Sequence, residues 1–206
     1  MSLVDLSVRD LLAAFSSSDP TPGGGSASAL ASAIGASLLA MVAGLPKTRG
    51  ASDEDRAVLA AAATALNLVR QELTDAIDGD AAAYDLVVAA YKLPKASAEE
   101  QTIRKAAVQR ALRAATDVPL SVMRLSSHAL DQARLIAAHG HRAARSDVGV
   151  AVVLLRAGLH GARLNIEINA GAVSDAAYVD AVKAEAGVLS ERAGRAADAA
   201  EASLRQ

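Results

Sequence analysis

Cysteine is absent from the 206 residues, which excludes disulfides and thiolate metal ligation. Tryptophan is absent too, and one phenylalanine with three tyrosines completes the aromatic set. Hydrophobic residues still make up 52% of the chain, so the apolar content is mostly Ala, Leu and Val. Alanine has the highest helix propensity, and this composition points to an all-helical protein. Small side chains bury little area each, so close helix packing and subunit association are expected to compensate. Excess positive charge is missing as well. A net charge of −2 and a pI of about 6.1 argue against a nucleic-acid footprint.

Several chemical signatures are missing. Neither G-x-G-x-x-G nor G-x-x-x-x-G-K-[ST] occurs, so neither nucleotide fingerprint applies. H-E-x-x-H is absent, and His139 and His141 sit in a basic turn without a carboxylate at ligand spacing, so no metal site is expected. There is no G-x-S-x-G elbow. The N-terminus carries charges within its apolar run and lacks a signal-peptide pattern. Ala27 to Leu45 is nearly long enough to span a bilayer, but its Ala, Ser and Gly content reads as a buried helix rather than a membrane span. The default location is cytoplasmic.

What is present is organised around Asp19 to Leu45. Pro20-Thr21-Pro22 is followed by Gly23, Gly24 and Gly25, and Ser26 is the expected N-cap of the segment beyond. A Gly-rich turn entering a helix N-terminus gathers unpaired N–H groups, which suits an anion or a polarised ligand. A rigid loop between closely packed small-residue helices fits the same pattern. The following helix is apolar all round and should be central.

Periodicity and capping signals divide the chain further. A first helix is expected over Ser7 to Ser16 and a third from Asp53 to about Tyr91, interrupted in propensity by Gly79. Ser97 and Glu100 form a capping box for a fourth helix to about Ala138, with Pro119 predicting a kink near Asp117. Ser146-Asp147 opens a fifth helix to about Gly171, and Ser174 or Asp175 caps a sixth ending near Arg205. The expected architecture is a single-domain, all-α, up-and-down bundle of about six helices.

Certain polar residues stand out against this apolar background. Asp80, Tyr84, Val87 and Tyr91 share a helix face, and a carboxylate on such a face is either paired or functional. Lys95 follows the rigid Leu93-Pro94 turn, where a lysine is ordinarily solvated. Asn165 and Asn169 are spaced i, i+4, and face either a ligand or a neighbouring helix.

Taken together, four blocks in order resemble one family. They are PTPGGGSASALASAIGASLLAMVAGL, DGDAAAYDLVVAAYKLPK (78–95), ATDVPL (115–120) and SDVGVAVVLLRAGLHGARLNIEIN (146–169). The family is that of formiminotetrahydrofolate cyclodeaminase and methenyltetrahydrofolate cyclohydrolase. The resemblance departs after Met41-Val42, where the family commonly has a small residue and then Asn-Leu-Thr, and this chain has Ala43-Gly44-Leu45-Pro46.

The resemblance implies an all-helical homodimer or dimer of dimers acting on one-carbon folates without a metal or permanently bound cofactor. At this length it implies a stand-alone cyclohydrolase that opens the methenyl bridge with water to give formyltetrahydrofolate. The sister activity closes formiminotetrahydrofolate and releases ammonia, and a non-catalytic folate-binding oligomer is the other alternative. The implied catalytic residues are Asp80 as base, Asp147 as second candidate, and Lys95 or Tyr84 as proton donor. Pro22, Gly23, Gly24, Gly25, Ser26, Tyr84, Asn165 and Asn169 are the implied substrate-binding residues. Lys47, Arg49 or Arg145 would hold the glutamate tail.

Overall fold

Six α-helices account for nearly all of the described chain, residues 2–45 and 52–205 of a computed structural model. They are α1 (Val8–Phe15), α2 (Gly24–Gly44), α3 (Asp53–Tyr91), α4 (Ala98–His139), α5 (Arg145–Ala170) and α6 (Ala176–Leu204). Short 3-10 turns over Leu3–Asp5 and Arg142–Ala144 precede α1 and α5. No strand occurs among the described residues.

The boundaries follow local chemistry. The Ser7 side chain accepts from the Asp10 N–H to start α1, and Asp175 does the same for Tyr178 at the head of α6. Ser52/Asp55 and Ser97/Glu100 each form a reciprocal capping box. Neither Gly79 nor Pro119 ends its helix: α3 and α4 run through both positions. The start of α2 differs from expectation. Its N-cap is Gly23, not Ser26, and no side chain caps it.

α2 lies at the centre, packed against α3 and α5, with α4 completing the core and α6 closing over α4 and α5. The approach of α5 to α2 is close because the facing residues are small. A Cβ on Gly158 would collide with Ser32 Oγ and Ser28 O, and one on Gly161 would collide with Ser28 Oγ. Gly35 is tight against Leu155 and Ala151. The serines here are buried but satisfied: Ser28 donates to Gly24 O (2.6 Å), and Ser32 pairs with Ser126 (2.7 Å). Of the described helices, α2 is the one long and apolar enough to cross a membrane by composition, and in this fold it is the core helix.

Around this core, polar contacts fasten the ends. Asp78 accepts from Ser2 Oγ (2.7 Å) and the Leu3 N–H (2.5 Å), tying the N-terminal segment to α3. Arg113 pairs with Asp175 (2.5 Å) and lies over the Tyr178 ring, whose hydroxyl donates to Asp117 (2.6 Å). Burial and the Asp117 charge push the Tyr178 hydroxyl well above its ordinary pKa.

Candidate active site

The sequence around Gly25 dictates a near approach of two chain segments. A Cβ at Gly25 would overlap the Asp80 carboxylate, so only glycine lets α2 begin against α3 at this height. The Ser26 N–H, one of the unpaired donors of the first turn, then donates to Asp80 Oδ2 (2.9 Å). The Ser26 hydroxyl donates to Ile77 O (2.8 Å) and lies 3.3 Å from the same carboxylate oxygen. Ser26, expected as a cap, is therefore a clamp between α2 and α3. Its side chain is drawn away from the helix start because Ile77 O and Asp80 lie directly across the interface.

Asp80 opens onto a cleft of about 280 Å³ lined by Pro20, Thr21, Gly23–Gly25, Tyr84, Val87, Leu112, Ala115, Asn165 and Asn169. Burial raises the Asp80 pKa above its ordinary value of 3.8, and the two Ser26 contacts offset only part of that rise. Such a carboxyl is poised to take up a proton nearer neutrality than an ordinary aspartate. Oδ1 makes no hydrogen bond among the described residues, nor do the N–H groups of Gly24 and Gly25. The site thus offers an acceptor and two backbone donors side by side.

The amides frame the opposite wall. Asn165 Nδ2 donates to Gly161 O (2.9 Å), and Asn169 Nδ2 donates across to Ala115 O on α4 (2.7 Å). Asn169 thus joins α5 to α4, and both amides line the cleft. Their side-chain oxygens accept no hydrogen bond from the described residues and remain available to a ligand's N–H groups.

Not every residue expected at the site reaches this cleft. Gly23, Gly24, Gly25, Tyr84, Asn165 and Asn169 line it with Asp80, and Ser26 holds Asp80 from behind. Pro22 follows a cis peptide bond and shapes the loop, while Pro20 and Thr21 take the lining positions. Lys95 lies past the end of α3 in a separate depression with Tyr91, Gln101, Arg104 and Lys105. The α3 axis alone separates Asp80 from Tyr91 by about 16 Å, beyond the reach of a proton transfer between Asp80 and Lys95. Asp147 is in the first turn of α5, about 27 Å along that helix from Asn165. Within one chain the structure does not bring Lys95 or Asp147 together with Asp80. Lys47 and Arg49 lie outside the described residues, and Arg145 begins α5 at the end away from the cleft. Leu112 and Ala115 were not foreseen, because pairing of α4 with α3 at that register depends on long-range packing.

No group of three or more potential metal ligands occurs among the described residues. The departure at Ala43 and Gly44 falls at the far end of α2 from this cleft.

A family model described as formiminotransferase-cyclodeaminase matches residues 7–187. The chain is 39% identical over 192 residues to a methenyltetrahydrofolate cyclohydrolase of Methylorubrum extorquens, covering 90% of this chain and 92% of that one. It is 32% identical over 174 residues to the formimidoyltransferase-cyclodeaminase of Rattus norvegicus, covering 84% of this chain but 32% of the rat protein. It therefore spans about a third of the length of that animal relative. A crystal structure of formiminotetrahydrofolate cyclodeaminase from Thermotoga maritima superposes with a TM-score of 0.87 at 23% identity, over 98% of this chain and 96% of the other, which shows a common fold.

Proposed function

The chain belongs to the formiminotransferase-cyclodeaminase family, and from that premise we propose that it is an enzyme hydrolysing the methenyl bridge of 5,10-methenyltetrahydrofolate to formyltetrahydrofolate. The observation that carries this reading is Asp80, a half-buried carboxylate with a raised pKa, held between the Gly25 backbone and a cleft. Identity to the Methylorubrum extorquens protein along nearly the whole of both chains supports hydrolysis over deamination.

The methenyl bridge is an amidinium-like cation, so a carboxylate beside it lowers its energy and a base can draw a proton from attacking water. Asp80 serves both purposes. Water oxygen bonds to the bridge carbon, and Asp80 receives the proton, leaving a neutral hydroxylated intermediate. One carbon–nitrogen bond then breaks. That nitrogen takes a proton from Asp80 or the Tyr84 hydroxyl, and the intermediate's hydroxyl proton leaves as its oxygen becomes the formyl carbonyl. The net result is addition of water and release of one proton. The Gly24 and Gly25 N–H groups at the head of α2 suit the oxygen as charge develops on it. The carbonyl oxygens of Asn165 and Asn169 suit the N–H edge of the pterin. Lys95 and Asp147 take no part in this scheme.

Cyclodeamination is the second reading, favoured by the names of the animal and Thermotoga maritima relatives. Both reactions share the methenyl compound, so one assay separates them. Enzyme is mixed with methenyltetrahydrofolate and, in parallel, with formiminotetrahydrofolate near neutral pH. Accelerated loss of methenyl absorbance with the formimino compound untouched is the expected result. Methenyl absorbance appearing together with ammonia makes the protein a cyclodeaminase. Binding of folate without turnover in either arm makes it a binding protein. A cytoplasmic location, a homodimer or dimer of dimers, and the absence of a permanently bound cofactor complete the proposal; exposed Leu86, Leu93 and Ile103 on the α3–α4 hairpin support the subunit association.

A further inference from the structure

Pro119 stands in the interior of α4, where neither the course of the helix nor the proposed reaction accounts for it. In an α-helix the residue at 119 donates its N–H to the carbonyl four positions back, which is Ala115 O. Proline has no N–H, and its ring crowds that same carbonyl. α4 nevertheless continues from Ala98 to His139 with Pro119 buried. Ala115 O has therefore lost its helical donor, and a buried carbonyl needs another.

The donor comes from α5. Asn169 Nδ2 lies 2.7 Å from Ala115 O, and both residues line the Asp80 cleft. A carbonyl can only accept, so this contact fixes which end of the amide faces α4. The NH2 group is turned to Ala115 and the side-chain oxygen is left for the cleft. Asn165, one turn earlier, is held differently. Its Nδ2 donates to Gly161 O within its own helix (2.9 Å), and it needs nothing from α4.

Other contacts hold the backbone around Asn169. Gln109 Nε2 donates to Ala172 O (3.2 Å), and the Ser174 N–H and hydroxyl both donate to Gln109 Oε1 (2.7 and 2.9 Å). Arg113 pairs with Asp175 at the head of α6. The end of α5 is thus fastened to α4 without Pro119, whose own contribution is an acceptor for one amide.

Resting on the folate reading above, we propose that Pro119 is a positioning residue: by denying Ala115 O its helical donor, it holds the Asn169 amide with its oxygen toward the N–H edge of the pterin. Pro119 does not itself line the cleft. A residue with an N–H at 119 returns Ala115 O to the hydrogen-bond ladder of α4 and frees the amide to turn. Turned over, the amide sets its own N–H against the N–H edge of the pterin, where two donors meet without an acceptor. The loss falls on binding, because Asn169 stands on the wall opposite Asp80 and holds the pterin equally before and during water attack.

The test compares wild type, Pro119→Ala, Asn169→Ala and the double variant in the methenyl assay, with cooperative thermal unfolding to show that each is folded. Pro119→Ala is expected to raise KM roughly threefold to tenfold, the worth of one hydrogen bond, with kcat within about twofold of wild type. In the Asn169→Ala background the same substitution should change KM by less than about twofold, since the amide it acts through is gone. A full effect in that background overturns the proposal, as does an unchanged KM in the single variant. A second readout is independent of turnover. The asparagines are Asn67, Asn165 and Asn169, so isotopic labelling of asparagine gives few side-chain amide signals in NMR, and the Asn169 pair is the one lost in Asn169→Ala. One Asn169 amide proton should be protected from solvent exchange in the wild type. Its exchange should quicken by roughly fivefold or more in Pro119→Ala, or in Pro119→Ser if the alanine variant does not fold. Unprotected exchange in the wild type, or equal exchange after the N–H is restored, overturns the proposal. If the methenyl compound is not turned over, the hydrolase reading fails while this signal still decides the role of Pro119.

Discussion

Two aspartates separated by one glycine have different roles because they face different neighbours. Asp78 is occupied by Ser2 and Leu3 and fastens the N-terminal segment. Asp80 is turned toward α2 and held by Ser26. Asp80→Asn keeps the acceptor for the Ser26 N–H and removes the base, so kcat is expected to fall about 10²–10⁴-fold in the methenyl assay. Because burial raises the Asp80 pKa, the folded chain retains a proton that the unfolded chain has lost. Folding stability attributable to this group therefore declines as pH rises from about 3.8 to the folded value. Thermal unfolding near neutral pH should consequently show Asp80→Asn no less stable than the wild type, and a lower Tm would contradict this account. In the wild type, the rising limb of kcat/KM against pH should have its midpoint above the ordinary aspartate value of 3.8. Asp80 was legible as a candidate from its place on an apolar helix face. The clamp by Ser26 was not, because it joins residues 54 positions apart.

At the scale of the helices, glycines with identical local propensity have opposite roles. Gly79 has nothing within 4 Å of where a Cβ would sit, so its replacement by alanine removes only an entropic cost. Gly79→Ala should stabilise the protein by about 0.5–1 kcal/mol in denaturant unfolding. Gly158 is pressed against α2, and Gly158→Ala should destabilise it by about 1–3 kcal/mol as Ser32 and the Ser28 carbonyl are displaced. Equal effects of the two substitutions would contradict the close α2–α5 packing. Helix spans were legible because caps such as Ser97 and Asp175 act through near neighbours. α2 starts at Gly24 without a Ser26 cap because the Ser26 hydroxyl donates to a tertiary acceptor, Ile77 O. Pro119 sits buried in an α4 that continues past it, and that helix packs on α2, α3, α5 and α6.

For the whole molecule, the scarcity of large side chains has a consequence for assembly. The core is built largely from alanine, leucine and valine, and Leu86, Ile103 and Ile168 remain exposed. Sedimentation is expected to give at least twice the 20.9 kDa chain mass, and a monomer at micromolar concentration would count against the oligomer. Composition and periodicity by themselves determined a helical bundle, its element order and most of its ends, since these depend on residues within a few positions of one another. Ordered motif blocks determined the family. Only the tertiary structure decided which polar residues meet. Asp80, the Gly25 backbone and the two asparagines converge because four helices cross at one height, while Lys95 lies beyond the end of α3, in another depression, and Asp147 lies at the opposite end of α5 from the asparagines. Spacing along a chain reports which face of its own helix a residue occupies, and the depth at which another helix crosses that face is settled by packing across the core.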